Sequence, residues 1–419
     1  MTSLPLPARP TRRPAVTAWG ALAFLKGVLL SGLVAGLANW GPETPPCPGG
    51  IIRWPREGGA VFGSHFATWD GAHYLLLSEV GYQDGMASCA FYPLYPLLVR
   101  ASAPLFGGSH LVAGLALSNL FSLAAWGLLV HLVRRRWGPR AAFWTLAFLV
   151  AFPGSLFFQF IYTESLFLLL ALGLWLGLED RRHWLAAMCA LLLPVCRGVG
   201  AFAVLPLAWN AWSRSWESGG RSQKAGNSHV GSMAGDERST AAMPSGVSRR
   251  SARSAWVPWL LVGMPVLGWG VYLALMWHWT GNPFEGMEAQ KYWGVHSIRN
   301  LWDVPKFVVG FFNPTEWHAF RGSLLDRCVF ALVLYTLPVW WRLDKGLLVW
   351  TYWLAVLPAM SGTYTSFTRF AACAFPVFIG LGVGLSRREW RWLRYGLLAV
   401  FATLHVVLVW RYVNFRWAG

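Results

Sequence analysis

Long apolar runs are the feature that most constrains how this chain folds. Several runs approach the ~20 residues that a helix needs to cross a bilayer, and the clearest are 16–40, 111–133, 256–277 and 395–410. The chain is 55% hydrophobic and 13% charged, whereas soluble domains carry about 25% charged residues. Backbone groups in lipid must be satisfied within their own segment, so these runs are expected to be helices. We therefore predict an all-α integral membrane protein.

Basic residues set the expected orientation. The formal net charge is +17, but the Lys and Arg residues are scattered between apolar runs instead of forming one basic face. Such scattering favours the positive-inside rule over nucleic-acid binding, so we expect no nucleic-acid partner. With the N-terminus in the cytoplasm, the main basic segments fall on that same side: 134–140, 181–182, 213–254, 342–345 and 387–394.

These runs predict a polytopic bundle of about 11 transmembrane helices. One pair forms a hairpin over 183–212 with Arg197 near its apex. The N-terminal module, 1–212, contains a first external loop, 39–108, whose many aromatic residues predict a structured loop. Residues 213–254 are rich in Ser, Gly and Arg, which predicts a disordered cytoplasmic linker. The C-terminal module, 255–419, contains a second external loop, 278–323.

Three smaller expectations concern isolated polar residues. Lys26 in the first helix, 17–38, should extend toward the cytoplasmic surface. Cys47 and Cys89 both fall in the first external loop, where oxidation is feasible, so either a disulfide or two unpaired thiols fits the sequence. The sequence contains no cluster of metal-ligand residues, and we predict no metal site.

The first external loop contains the strongest candidate for chemistry. Its segment Trp69-Asp70-Gly71-Ala72-His73-Tyr74 places an acidic side chain beside a glycine and several aromatic residues. Such a carboxylate can act as a general base, with the aromatic rings stacking on a sugar. Asp is also a common helix N-cap, and spacing alone does not separate the two roles.

The wider pattern resembles the PIG-V family of mannosyltransferases, known in GPI-anchor synthesis. The resemblance begins at residues 69–74, continues through Gly81-Tyr82 and the segment Ala-Phe-Tyr-Pro-Leu-Tyr-Pro at 90–96, and includes Tyr-Thr-Glu-Ser-Leu-Phe at 162–167. It extends more loosely through residues 281–293 and ends with Thr-Arg-Phe at 368–370 and Phe-Pro at 375–376. The matching motifs are spread over nearly the whole chain.

The resemblance implies a GT-C-like fold and a membrane glycosyltransferase. Such an enzyme moves a sugar, here mannose, from a polyprenyl-phosphate donor to an acceptor hydroxyl on the non-cytoplasmic face, with Asp70 as the base. The donor would be similar to dolichol-phosphate-mannose, and no cofactor is expected. The acceptor class stays open among glycolipid, glycan and protein. The implied substrate-binding residues are Trp69, His73, Tyr74, Tyr92, Tyr95, Tyr162, Glu164, Arg197, Gln290, Lys291, Trp293 and Arg369.

Two of these charged residues also have structural interpretations. Glu164 begins a predicted helix, where its negative charge suits the helix dipole, although it can still line the site. Arg369 lies at the external end of a predicted helix, where it can extend to the surface or present its fork to a donor phosphate. His73 and Lys291 are further candidates to stabilise the departing phosphate.

The expected reaction inverts the anomeric configuration, because the sequence shows no pair of nearby carboxylates that would indicate a covalent retaining route. The predicted protein crosses its membrane several times and has membrane lipids as neighbours. That membrane is expected to be the plasma or inner membrane of a prokaryote or the endoplasmic reticulum of a eukaryote. The main alternative is a transporter or flippase of lipid-linked substrates, which usually has its site near the bilayer midplane. A scaffold subunit fits the composition but leaves residues 69–74 unexplained. Whether a partner subunit is required stays open.

The linker prediction can be tested by deletion. Replacing residues 213–254 with a short Gly/Ser join should leave turnover intact, because the predicted linker is cytoplasmic and remote from the predicted site. Turnover of the inserted protein in lipid discs is the measurement. Complete loss of turnover in a properly inserted protein would contradict this assignment.

Overall fold

Helices dominate the described part of the chain. The computed structural model describes residues 26, 32, 34–38, 52–216, 256–294 and 296–419. Within these ranges the only β-type pairings are two isolated bridges, Arg53 with Thr68 and Glu316 with Ser323. The prediction of an all-α polytopic membrane protein is confirmed.

The helices longer than one turn are numbered here in chain order. The N-terminal module contains α1 (Asp70–Val80), α2 (Leu94–Ser102), α3 (His110–Ala151), α4 (Glu164–Glu179), α5 (His183–Cys196) and α6 (204–216). The C-terminal module begins with an unnumbered helix at 256–262 that leads into α7 (Met264–Thr280), and it continues with α8 (Val304–Phe312), α9 (Leu324–Leu343), α10 (Lys345–Thr351), α11 (Leu357–Gly362), α12 (Phe367–Ala371), α13 (Phe375–Gly384) and α14 (Arg391–Val413). A π turn, Tyr352–Val356, joins α10 to α11.

Four helical segments in these ranges are long and apolar enough to cross a membrane: His110–Ala151, Trp256–Thr280, Leu324–Leu343 and Arg388–Val413. The first is interrupted at Gly138 (φ 88°), next to Pro139. Most of the predicted first helix, 17–38, lies outside the described residues, so the total of about 11 spans stays a prediction. Cys47 and residues 217–254 of the predicted linker also lie outside them, while residues 213–216 continue α6.

Helix α4 connects two chemically different ends of the bundle. It begins at Glu164 and ends at Glu179, about 22 Å apart at 1.5 Å per residue. At the Glu179 end, Arg135 pairs with Asp180 at 2.7 Å and Arg136 pairs with Asp344 at 2.5 Å. The predicted basic segments at 134–140, 181–182 and 342–345 therefore meet at one end of the bundle.

Lys26 does not extend to a surface, so the sequence-based expectation was wrong. Its Nζ donates to the Ser122 hydroxyl at 2.5 Å and to the Phe158 carbonyl at 3.4 Å. The ammonium group also lies 4.3 Å from the centroid of the Trp126 ring. These partners satisfy the charge inside the protein, and nothing in a single apolar run indicates them in advance.

Helices α5 and α7 approach each other through glycine. A Cβ at Gly268 would lie 2.0 Å from the Leu191 carbonyl oxygen, whereas a Cβ at Gly270 would meet nothing within 4 Å. Both glycines lie in α7, so they form a matched pair of test positions.

We expect Gly268→Ala to destabilise the protein by about 1–3 kcal/mol, because overpacking forces two helix backbones apart. Gly270→Ala should be neutral or slightly stabilising, since Gly in a helix costs roughly 0.5–1 kcal/mol relative to Ala. Thermal unfolding of both variants in detergent is the measurement. Equal unfolding midpoints for the two variants would show that α5 and α7 can move apart at Gly268 without loss of stability.

Candidate active site

Asp70 is the first residue of α1 and follows a backbone kink. Trp69 has φ 53° and ψ −127°, a conformation that is unfavourable for a residue with a side chain. Trp69 occupies the N-cap position of α1, and the Asp70 carboxylate accepts a hydrogen bond from Arg369 instead of capping the helix, so the capping interpretation was wrong. A Cβ at Gly71 would lie 3.3 Å from the Tyr412 hydroxyl and 3.4 Å from the Ile161 carbonyl oxygen. The glycine thus lets the Asp70 turn approach its neighbours closely.

Four charges form one network around this turn, here called the charge network: the buried Glu164 and Arg197 and the largely buried Asp70 and Arg369. The Arg369 Nη1 atom donates to Oδ2 of Asp70, and its Nε lies 2.9 Å from Oε1 of Glu164. The same Glu164 oxygen lies 2.5 Å from Nη1 of Arg197. The two positive and two negative charges balance, which offsets the large cost of burying each one.

The network brings two carboxylates to one guanidinium, so the expectation of no nearby carboxylate pair was wrong. The two acids come from α1 and α4, which are far apart in sequence and adjacent only in the fold. Their settings differ: the Glu164 side chain is fully buried between two arginines, whereas the Asp70 side chain is 13% exposed. Of the two, only Asp70 lines the adjoining cavity.

Aromatic rings enclose the arginines of the network. The Arg197 guanidinium lies 4.6 Å from the centroid of Phe370, and that of Arg369 lies 5.2 Å from the same ring and 5.4 Å from Tyr162. Stacked π faces stabilise cations in a partly desolvated setting. The rings also restrict the positions that the guanidinium groups can adopt.

A cavity of about 840 Å³ opens beside Asp70. Both predicted external loops contribute to it, and they contact each other directly. Gln290 donates to the Ala90 carbonyl at 2.9 Å, and the Gly85 amide donates to the Glu285 carboxylate at 3.0 Å. Nine predicted site residues line the cavity: Trp69, Asp70, Tyr74, Tyr92, Arg197, Gln290, Lys291, Trp293 and Arg369.

The other four predicted site residues support the walls without lining the cavity. Glu164 acts through the charge network. Tyr162 donates its hydroxyl to the Thr68 carbonyl at 3.4 Å, and Tyr95 donates to the Gly114 carbonyl at 2.9 Å. His73 is buried, stacks on Phe91, shares a 2.8 Å hydrogen bond with Ser88, and does not line the cavity.

Several polar and aromatic residues of the cavity were not predicted. They come from the second loop, from the segment around α11 and α12, and from residues after α14. Apart from Phe370, which belongs to the motif at 368–370, no sequence motif marks them, since each becomes relevant only through the fold. The set comprises His296, Ser297, Asn300, Lys306, Phe320, Ser361, Thr365, Ser366, Phe370 and Trp417.

His296 supplies a neutral ring to this wall. Burial, with smaller contributions from Arg369 and Arg197, lowers its pKa to about 3. Its Nδ1 lies 3.3 Å from the Ser361 hydroxyl, and its ring packs edge-on against Phe370. A neutral imidazole near pH 7 can hydrogen-bond a sugar hydroxyl without adding charge. No group of three or more His, Cys, Asp or Glu side chains that could hold a metal occurs in the described part of the chain.

We expect Glu164→Gln to cost about 3–5 kcal/mol of stability, because it leaves buried arginines without their shared carboxylate. Glu179→Gln, at the far end of the same helix, breaks a half-exposed pair with Arg136 at 3.4 Å and should cost at most about 1 kcal/mol. Thermal unfolding of the two variants checks the difference. A Glu164→Gln variant as stable as Glu179→Gln would mean that the network adds nothing to stability.

Residues 58–215 match the model of a family described as mannosyltransferase (PIG-V). The match confirms the resemblance over these residues, which include Asp70, Glu164 and Arg197, and the motifs at 281–293 and 368–376 lie outside it. A search of curated proteins found no match.

Two solved structures are similar in fold. ArnT from Cupriavidus metallidurans bound to undecaprenyl phosphate has 13% identity, covers 93% of this chain and 64% of its own, and gives a TM-score of 0.49. The Archaeoglobus fulgidus oligosaccharyltransferase, tethered with an acceptor peptide, has 11% identity, covers 94% of this chain and 55% of its own, and gives a TM-score of 0.40. The chain thus spans less than two thirds of the length of either structure.

Proposed function

We propose that this chain, whose residues 58–215 match the PIG-V mannosyltransferase family, is a membrane glycosyltransferase that uses a polyprenyl-phosphate mannose donor. The observation that carries the proposal is the Asp70 carboxylate, which lines an 840 Å³ cavity while Arg369 holds it in place. A cavity of this size suits a sugar and part of its carriers. The acceptor is a hydroxyl group on the non-cytoplasmic side.

In the proposed reaction, Asp70 accepts the proton from the acceptor hydroxyl. The hydroxyl oxygen then forms a bond to the anomeric carbon while the bond from that carbon to the phosphate oxygen breaks. The leaving lipid phosphate takes the bonding electrons, and the configuration inverts. Glu164 is fully buried between Arg197 and Arg369, so it holds the arginines and does not attack the sugar.

Aromatic side chains shape the proposed sugar position. Trp69, Tyr74 and Trp293 line the cavity close to Asp70. Trp69 packs edge-on against Trp417 at 5.3 Å between ring centroids, which fixes its orientation. Rigid aromatic faces suit the apolar faces of a sugar ring, and the neutral His296 adds a hydrogen-bonding group.

We assign binding of the donor phosphate mainly to two lysines and not to Arg369. Arg369 already contacts two carboxylates, so its fork is occupied within the charge network. Lys291 and Lys306 also line the cavity, and in the described part of the chain neither forms an ion pair. Lys306 is oriented by a 3.2 Å hydrogen bond from its Nζ to the Asn300 side-chain oxygen. These ammonium groups can stabilise the negative charge of the leaving phosphate.

The proposal is tested with purified protein in lipid discs and a panel of radiolabelled polyprenyl-phosphate sugars. Transfer of label to a hydroxyl acceptor supports a transferase. A transporter or flippase would move the intact donor across the membrane and leave its sugar–phosphate bond unbroken. Intact donor after incubation with every acceptor class would overturn the proposal.

Asp70→Asn should lower kcat by at least about 100-fold, because the amide cannot accept the proton. Asp180→Asn is the matched control, since it breaks another Asp–Arg pair, with Arg135 at 2.7 Å, at the opposite end of the bundle. Its turnover should stay near the wild-type value. Turnover and thermal stability are measured on the same preparations, and near-normal turnover from a folded Asp70→Asn protein would remove Asp70 as the base.

Lys306→Gln should raise the donor KM by about tenfold, the effect of losing roughly 1.4 kcal/mol of phosphate binding. Arg369→Lys should instead lower kcat, because one ammonium group cannot reproduce the fork that holds both Asp70 and Glu164. Lys345→Gln, from the opposite end, is the control and should change neither constant. If Arg369→Lys raises the donor KM and leaves kcat normal, the phosphate-binding role belongs to Arg369 and not to the lysines.

A further inference from the structure

Helix α8 presents an unusually large apolar surface outside the protein core. Every residue of Val304–Phe312 except Lys306 is apolar. Phe312 is 78% exposed, and Trp302, just before the helix, is 84% exposed. Val304, Val308 and Val309 are exposed beside them. A continuous apolar surface of this kind is normally covered by lipid or by another protein.

The opposite side of α8 packs against a membrane-spanning helix. Phe307 lies 5.3 Å from Phe330 and stacks on Tyr364 at 4.5 Å, measured between ring centroids. At the end of α8, the Gly310 carbonyl accepts a 2.7 Å hydrogen bond from Nε of Arg327. Both Arg327 and Phe330 belong to α9, which is one of the four candidate spans.

The position along α9 shows how deep α8 lies. Phe330 is six residues beyond the start of α9 at Leu324, or about 9 Å at 1.5 Å per residue. Helix α8 therefore lies alongside the first turns of the span and not above its end. Helix α9 itself exposes apolar side chains, including Leu324 and Leu334.

We propose that Trp302 and α8 are embedded in the membrane leaflet on the Asp70 side, with lipid acyl chains as the partner of the apolar surface. Direct packing of α8 against a candidate membrane span that also exposes apolar side chains favours lipid over a second protein. Trp at the start of the segment fits the interface between lipid headgroups and acyl chains. This proposal revises the expectation that residues 278–323 form a wholly extramembrane loop.

The embedding affects the cavity directly. Lys306 is on α8, and the neighbouring residues Ile298, Asn300 and Leu301 line the same wall. One wall of the cavity is therefore held at the depth of lipid headgroups. Lys306 is then presented at the level where a lipid-borne phosphate resides.

The test uses the native chain in discs whose phospholipids carry a photoactivatable diazirine on the acyl chain. After irradiation, peptides are analysed by mass spectrometry. We expect adducts on residues 302–312 and on the positive control, α9. The negative control is the segment 52–66. A parallel labelling uses a water-soluble diazirine and should give the reverse pattern.

Adducts on α9 without adducts on 302–312 would overturn the proposal. So would strong labelling of 302–312 by the water-soluble reagent, which would mean that a second copy or another protein normally covers this surface. Discs that contain a single copy of the chain make the outcomes distinct. The result does not depend on turnover, so it stands apart from the proposed function.

A second inference comes from Asp326, a fully buried acid in the first turn of α9. Its Oδ1 accepts two hydrogen bonds of 2.6 Å, one from the Thr368 amide and one from the Thr368 hydroxyl. Thr368 directly precedes Arg369. The Thr368 carbonyl packs closely against Gly154 on the other side. A Cβ at Gly154 would lie only 2.1 Å from the Thr368 carbonyl oxygen. The segment that carries Arg369 is therefore held from two sides.

The backbone leading to this segment is strained. Thr363, Tyr364 and Ser366 all have positive φ, at 48°, 68° and 56°. Residues with side chains adopt this region rarely, and such strain persists only where surrounding contacts enforce it. The Asp326–Thr368 hydrogen bonds act just after the last strained residue, so they can enforce the conformation that directs Arg369 toward Asp70.

We infer that Asp326 is a positioning residue that acts through Thr368 on Arg369 and Asp70; this inference rests on the proposed function. Asp326→Ala should lower kcat by about tenfold or more with an unchanged donor KM. Asp326→Asn keeps a carbonyl oxygen for both hydrogen bonds and should restore most of the turnover. In an Asp70→Asn background, Asp326→Ala should cause no further loss.

Additive losses in that double variant, or equal losses in Asp326→Asn and Asp326→Ala, would overturn the inference. If Asp326→Ala does not fold, Thr368→Val takes its place, with Thr368→Ser as its control. A double-mutant cycle of Asp326→Ala and Arg369→Met, measured by thermal unfolding, tests the same link without catalysis. A non-additive loss of stability is the expected result. If the wild-type protein transfers no sugar, the proposed function is refuted. The thermal coupling of the two substitutions would still test the link from Asp326 to Arg369.

Discussion

Arg369 makes ion pairs with two carboxylates that reach it from different helices, and the architecture of the Asp70 end follows from that contact. Asp70 comes from α1, Glu164 from α4, and Arg197 binds the far side of Glu164. Isolated charges at such burial would be very costly, so each residue depends on the others. The same contacts hold Asp70 at the cavity while Glu164 stays enclosed.

Sequence patterns predicted the parts of this arrangement that local chemistry determines. Apolar runs marked the spanning helices because their length is set by the bilayer. Basic segments marked one end of the bundle, where Arg135 and Arg136 meet the acids at the end of α4. The motif at 69–74 and the arginine at 369 were identified through resemblance to the PIG-V family.

Other features depend on contacts between distant segments, and no local pattern predicts them. His296, Lys306 and Trp417 reach the cavity from segments whose sequence carries no motif. The pairing of Asp70 with Glu164 through one arginine was missed for the same reason. Helix α8 falls within the predicted second external loop, 278–323, although its exposed face is apolar. Lys26 finds partners on two other segments.

The zero net charge of the four-residue network has a genetic consequence. A substitution that changes the charge of any one member leaves an unbalanced charge among buried aromatic and apolar groups. A single change is therefore penalised even if it spares the cavity, and a second change elsewhere in the network is needed to restore balance. The contacts therefore predict that the four positions are energetically coupled, so that a charge change at Glu164 or Arg197 should be tolerated better with a compensating change elsewhere in the network.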